Sequence, residues 1–210
     1  MRAAARPFSP TVCLVGALAL GLALGACQTQ RRAAGVPVSV DAAAASETNI
    51  ESLSAVIERE PTNAEAYNVR GSAFGRAGKY REAIADFNKA IEINPAFARA
   101  YANRALVHRL NGDIRSAAED YNRAISADPR YGAAYVGRGN IYRQNGRLDL
   151  ALADYNAAIQ FDATDAQAFH NRGLVYQAQN QHQQAVEDFT TAIGLSPRVA
   201  EPYDGRGLSY

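Results

Sequence analysis

From residue 64 onward, small, aromatic and polar positions recur with a period of 34 residues. Full copies begin at Ala64, Ala98, Gly132 and Ala166. In each, the fourth residue is aromatic (Tyr67, Tyr101, Tyr135, Phe169), and so is the twenty-fourth (Phe87, Tyr121, Tyr155, Phe189). The eighth is very small (Gly71, Ala105, Gly139, Gly173), and the twentieth and twenty-seventh are always alanine (Ala83, Ala117, Ala151, Ala185; Ala90, Ala124, Ala158, Ala192). This spacing predicts two helices per copy in close antiparallel contact, because interaxial distance is set by the side chains at the crossing. The aromatic rings then fill the wider spaces between layers, with tyrosine hydroxyls reaching solvent or a polar partner.

The punctuation has the same period. The fifteenth residue is Gly78, Gly112, Gly146 or Asn180, types that tolerate the left-handed conformation ending a helix. Asn94-Pro95, Asp128-Pro129 and Ser196-Pro197 mark the exit of the second helix, since the residue before proline is pushed out of the α region. The third copy has Asp162-Ala163 instead, and the same turn is expected there in a less rigid form.

Upstream, Ile50, Leu53, Val56 and Ile57, followed by Pro61, read as the second helix of a degenerate leading repeat, a cap over residues 50–63. Full units then occupy 64–97, 98–131, 132–165 and 166–199, and a fifth, incomplete one occupies 200–210 (Tyr203, Gly207, Tyr210). Its first helix would leave an apolar face uncovered, as in a fragment of a longer array or an end covered by a partner. A unit this small cannot bury its apolar face alone, so stacked neighbours must share one continuous core. The period and the small/aromatic positions resemble the tetratricopeptide repeat over about residues 50–210. The resemblance implies an all-α, right-handed superhelical solenoid of helix–turn–helix units whose function is to bind other proteins or peptides.

Two features stand apart from the core pattern. An arginine occupies the seventh place of every copy (Arg70, Arg104, Arg138, Arg172, and Arg206 in the partial one), where the family resemblance implies an apolar residue. An aspartate recurs at the twenty-third (Asp86, Asp120, Asp154, Asp188). A half-buried arginine needs a carboxylate to be tolerated, so the two series read as a ladder of ion pairs, within a repeat or to the next, rather than as ligand contacts. The resemblance also implies a concave groove lined by first-helix positions two, five, six, nine, twelve and thirteen. These positions differ from copy to copy. Among them Asn68, Arg99, Asn103, Arg109, Asn140, Arg143, His170 and Asn171 are the candidate peptide-binding residues, with Arg99, Asn103, Arg109, Asn140 and Arg143 as a basic centre able to grip carboxylates and backbone amides. The paired lysines and asparagines of the family's chaperone-binding carboxylate clamp are not reproduced, which disfavours capture of an EEVD-type tail.

Composition narrows the function classes. Lysines and arginines number 22 against 21 acidic residues, without the basic excess that nucleic-acid coating requires. Eleven tyrosines and no tryptophan follow from the repeat positions. His108, His170 and His182 lack a helical His, Glu or Cys neighbour at metal-ligand spacing, and no nucleophile motif or phosphate loop occurs, so neither an enzyme nor a cofactor is expected. His108 takes the eleventh place, held elsewhere by Phe74, Tyr142 and Tyr176, and reads as a core-edge substitution.

The N-terminus is an address. A short basic stretch (Arg2, Arg6) precedes an apolar run, Thr11 to Leu24, too short for a comfortable span and ending in small residues. Leu24-Gly25-Ala26-Cys27 resembles a bacterial lipobox, which implies acylation of Cys27, including palmitate, after removal of 1–27 up to that residue. Cys13 would leave with the signal, so the exported domain would hold no disulfide. Gln28 after the cysteine resembles an outer-membrane address in the enterobacterial sorting pattern. Residues 28–49 show no apolar periodicity and read as a flexible tether, although Ala42 to Ala45 could also be helical; a coil of this length spans on the order of 25 Å. Together these features suggest a lipid-anchored, periplasm-facing adaptor for envelope enzymes or assembly factors. The alternatives are a self-associating array (a homodimer), an accessory domain of a longer chain continuing past Tyr210, and a cytosolic co-chaperone. Replacing Cys27 by Ser is expected to block palmitate labelling and move the protein from the membrane to the soluble fraction; unchanged fractionation would refute the anchor.

Overall fold

The computed structural model describes residues 40–210, with side chains from residue 49 on. The signal, Cys27 and the tether up to residue 39 lie outside the described residues. Ten helices follow in order: α1 (Val40–Arg59), α2 (Ala64–Arg76), α3 (Tyr80–Ile93), α4 (Ala98–Leu110), α5 (Ile114–Ala127), α6 (Gly132–Gln144), α7 (Leu148–Phe161), α8 (Ala166–Ala178), α9 (His182–Leu195) and α10 (Glu201–Gly207). No strand occurs among the described residues, and none of their helices is long and apolar enough to cross a membrane. Residues 40–49, expected to belong to the tether, are helical. Helix α1 begins at Val40, because an unbroken run of four alanines has high intrinsic helix propensity even without an apolar stripe.

Each repeat is an antiparallel pair: α2 with α3, α4 with α5, α6 with α7, α8 with α9. Each second helix also packs on the next first helix, and α1 packs on α2 in that same manner. Successive first helices (α2, α4, α6, α8, α10) touch one another, whereas no two second helices do among the described residues. The stack therefore curves toward the first helices, and their free faces line its concave side.

The core is made of the recurring small and aromatic residues. Ala83, Ala90, Ala117, Ala124, Ala151, Ala158, Ala185 and Ala192 are all buried, as are Phe87, Tyr121, Tyr155 and Phe189. Glycine at the eighth place lets the ring of the same repeat close onto it: a Cβ on Gly139 would lie 2.8 Å from the Tyr155 ring, and one on Gly173 2.9 Å from Phe189, while the second copy accommodates Ala105. At the fifteenth place the constraint is the backbone instead. Gly78, Gly112, Gly146 and Asn180 have φ of 73°, 84°, 71° and 58°, and they close each first helix by a Schellman arrangement in which Lys79 N donates to Phe74 O and Gly78 N to Gly75 O. At the third exit turn Ala163 stands where the others have proline. Asp162 accepts from the Thr164 amide at 2.9 Å, as Asn94 and Asp128 do from Ala96 and Arg130, and also from the Thr164 hydroxyl at 2.6 Å.

The arginine and aspartate series meet within each repeat. Arg70, Arg104, Arg138 and Arg172 each donate from Nε and Nη2 to both oxygens of Asp86, Asp120, Asp154 and Asp188, at 2.6–2.9 Å. The remaining nitrogen, Nη1, reaches back sixteen residues to the second helix of the preceding repeat: to Ser54 from Arg70, and to Asn88, Asn122 and Asn156 from Arg104, Arg138 and Arg172. The guanidinium also stacks on the ring at the fourth place, 5.7 Å from the Tyr67 centroid, 5.6 Å from Tyr101, 5.7 Å from Tyr135 and 5.5 Å from Phe169. One side chain thus bonds three helices. His108 sits at the edge of this arrangement, with Nε2 3.9 Å from Asp120 and Nδ1 3.7 Å from Asp113.

The side chains of Arg104 and Asp120 are 12% and 4% exposed, so removing one strands the other. Asp120→Ala is expected to cost about 3 kcal/mol of unfolding free energy, while replacing both by leucine should recover much of that loss. Urea denaturation of Asp120→Leu, Arg104→Leu and the double variant forms the cycle, with Asp120→Ala measured beside it. A loss under about 1 kcal/mol for Asp120→Ala would show that the bond does not hold the stack.

Candidate functional site

The concave face carries a continuous groove. Its centre is a hollow of about 260 Å³ walled by Ala102, Asn103, Leu106 and Arg109 of α4, Tyr121 and Tyr131, Val136, Gly137 and Asn140 of α6, and Gln167 of α8. A second hollow of about 200 Å³ continues it toward the first repeat, sharing Asn103 and Leu106 and adding Ser72, Arg76 and Phe87. Beyond α8 lies a third, about 370 Å³, bounded by Gln167, His170, Asn171, Ser196, Val199, Glu201 and Pro202.

The sequence candidates fare differently within this face. Asn68 is only 2% exposed and accepts from Asn103 Nδ2 at 2.9 Å; the same amide lies 3.3 Å from the Ser72 hydroxyl. These side chains satisfy one another across α2 and α4. Arg99 is exposed, pairs with Glu65 at 2.9 Å and stacks on Phe97; it lines none of the three hollows, because a carboxylate one repeat earlier holds its charge. Asn140 accepts from the Tyr155 hydroxyl at 2.8 Å. Asn171 is 7% exposed and faces the third hollow with His170, whose ring lies 5.6 Å from that of Phe189.

Arg109 and Arg143 differ in the same way: Arg109 lines the central hollow together with Asp165, and Arg143 lines none of the three. They share the twelfth place of α4 and α6, and among the described residues neither has a carboxylate within ion-pair distance. Each lies beside a tyrosine of its own repeat, Tyr121 and Tyr155. Burial pushes the Tyr155 phenol up to about 12, with Arg143 pulling partly against it; burial raises Tyr121 too, against the same pull from Arg109. His170 is held below the usual histidine range by burial, with Arg143 pushing the same way and Glu201 opposing it.

Leu106, at the ninth place, stands among the expected groove positions and lines the central hollow, whereas Val136, Tyr121 and Tyr131 were not singled out from sequence. The Tyr121 ring lies over Gly137 of the next repeat, where a Cβ would be 2.2 Å from Cζ, as Phe189 lies over Gly205. A glycine at the sixth place of the following copy was the available signal. Among the described residues no group of three or more His, Cys, Asp and Glu is placed to hold a metal ion.

Comparison with known proteins agrees with this architecture. A family model described as TPR repeat matches residues 139–180. Models described as tetratricopeptide repeat match 64–97 and 166–198 and 98–131, so the matches together cover more than half of the chain. No curated protein matches the sequence. Among solved structures, YrrB, described as a TPR protein with an unusual peptide-binding site, is 20% identical, with 77% of this chain and 83% of that chain covered and a TM-score of 0.61. The pilF protein of Pseudomonas aeruginosa is 24% identical over 72% of this chain and 69% of that one, with a TM-score of 0.66. A tetratricopeptide repeat protein from Parabacteroides merdae ATCC 43184 is 24% identical over 77% and 64%, with a TM-score of 0.61. At these identities the likeness is one of fold.

Because Tyr155 ordinarily titrates at 10.0 and is raised to about 12 in the fold, its contribution to stability is fully present below pH 10 and is lost as pH rises toward 12. Tyr155→Phe is expected to flatten that alkaline loss and to cost about 1 kcal/mol at pH 7 through the bond to Asn140. Urea denaturation at pH 7 and across pH 9–12 checks both, and an unchanged alkaline slope would show that Tyr155 is not the group responsible.

Proposed function

Since the chain belongs to the tetratricopeptide repeat family, we propose that it is a non-catalytic scaffold that holds extended segments of partner proteins in its concave groove while a lipid on Cys27 ties it to a bacterial envelope membrane. The observation that carries the groove reading is the central hollow, where apolar Leu106 and Val136 lie beside Asn103, Asn140, Arg109 and Asp165. Apolar walls set among convergent polar groups suit a peptide whose side chains need burial and whose backbone needs partners. YrrB, of related fold, is itself described as having a peptide-binding site. The anchor rests on the lipobox Leu24-Gly25-Ala26-Cys27, and it favours partners that are enzymes or assembly factors of the envelope, on the periplasmic side of the outer membrane.

A photo-crosslinking amino acid at Leu106 or Gln167, inside the groove, is expected to trap partners in cells. The same residue at exposed Arg115 on α5, a second helix, should not trap them. Crosslinks arising from position 115 alone would move the binding surface to the convex side and overturn the groove reading.

A further inference from the structure

The third hollow lies between the N-terminal half of α8, the start of α10 and the turn that joins α9 to α10. Asn171 stands in its wall and is only 7% exposed, yet its side-chain amide makes no hydrogen bond among the described residues. The buried polar atoms sealed from solvent without a partner are Arg143 Nε and His170 Nδ1. The Asn171 amide is not sealed in this way; it opens on the hollow. A buried amide left unmet is costly, and such groups are usually matched by something that binds.

The repeats show why this amide is left over. At the same sixth place of the second copy, Asn103 donates to Asn68 at 2.9 Å and lies 3.3 Å from the Ser72 hydroxyl, the fifth- and ninth-place residues of the copy before. Ahead of Asn171 those places hold Val136, whose side chain has no acceptor, and Asn140, which accepts from the Tyr155 hydroxyl at 2.8 Å. Valine in place of asparagine thus releases the amide one repeat later.

The charge in the hollow has one sign. Glu201 lines it and has no cation within ion-pair distance among the described residues. No lysine or arginine stands in the wall: Arg143 lines none of it, and Arg198 on the adjoining turn is exposed. Burial holds His170 below the usual histidine range, so at neutral pH its imidazole adds no positive charge. The start of α8 is not open to an anion either, because Asp165 already accepts from the amides of Gln167 at 2.9 Å and Ala168 at 3.3 Å.

We infer that the third hollow seats a basic side chain of the bound segment, the ammonium of a lysine or the guanidinium of an arginine. Glu201 supplies the opposite charge, and the amide oxygens of Asn171 and Gln167 with the Ser196 hydroxyl supply further acceptors. A cation that carries several N–H donors and no acceptor suits such a wall, and its aliphatic stem can lie on Val199 and Pro202. This rests on the groove reading and adds a basic residue at the α8 end of the segment. Gln167 also lines the central hollow, so one segment can fill both.

Random peptides displayed on phage can be selected against the full chain and their binding measured by fluorescence anisotropy. Enrichment of one lysine or arginine is expected, and replacing it by methionine, which keeps most of the stem, should weaken binding about tenfold. Glu201→Gln and Asn171→Ala should each weaken the basic peptides and leave their methionine versions unchanged. Glu187→Gln, at an exposed position on α9, should alter neither. Glu201→Lys should turn the preference at that peptide position from basic to acidic, with circular dichroism and melting temperature confirming that each variant remains folded. Selected peptides that are lost on Leu106→Arg, which fills the central hollow, but lack a basic residue or are indifferent to Glu201→Gln and Glu201→Lys overturn this inference and leave the groove reading standing. If no selected peptide responds to any of these three variants, the groove reading falls and this inference with it.

Discussion

The fold depends on how a guanidinium is satisfied away from water. Arginine offers five N–H donors and accepts nothing, so a half-buried one is tolerable only where acceptors surround it. Here Asp86, Asp120, Asp154 and Asp188 take two nitrogens apiece from the same repeat, and Ser54, Asn88, Asn122 and Asn156 take a third from the repeat before. The aromatic ring at the fourth place covers the plane. Both partners stand sixteen residues from the arginine, one on each side. The bond that closes a helix pair therefore also sets the seat of that pair on its neighbour. Registry passes from unit to unit by one side chain, and stability in such a stack is a sum of unit and nearest-neighbour terms.

Much of this could be read from the chain. Glycine or asparagine at the fifteenth place required a left-handed residue and sits at one. Small residues at the eighth, twentieth and twenty-seventh places marked where the helices cross. The paired arginine and aspartate series pointed to a charge-matched interior. The asparagine at the twenty-fifth place was not singled out, because Asn88, Asn122 and Asn156 look like surface residues on a second helix and give way to Ser54 and Thr190 in the flanking units. The start of α1 was legible only as an alternative, a helical Ala42 to Ala45 within the tether, since alanine propensity makes a helix without leaving an apolar stripe to detect.

The candidate site was legible as a face and not as a set of contacts. First-helix positions facing inward could be listed, yet the partner each polar group takes is settled only in three dimensions. Glu65 lies on the same face as Arg99 and holds its charge, and Asn68 turns inward to Asn103. Tyr121 reaches the groove by lying over Gly137 of the next repeat. What is left after these internal pairings is a much shorter stretch than the family positions would suggest, centred on α4, α6 and α8.

Charge distribution follows from the same division. The chain carries a formal net charge of only +1, which describes neither the interior nor the groove. In the four full repeats the ladder arginines are matched one for one by aspartates, so the most regular positive series in the sequence contributes almost nothing to the outward field. Arg109 lacks such a partner and lines the central hollow, which Asp165 also lines, so the groove carries charge of both signs in a concavity that focuses their field. Arginine serves two purposes in this chain, and its position within the 34-residue period decides which.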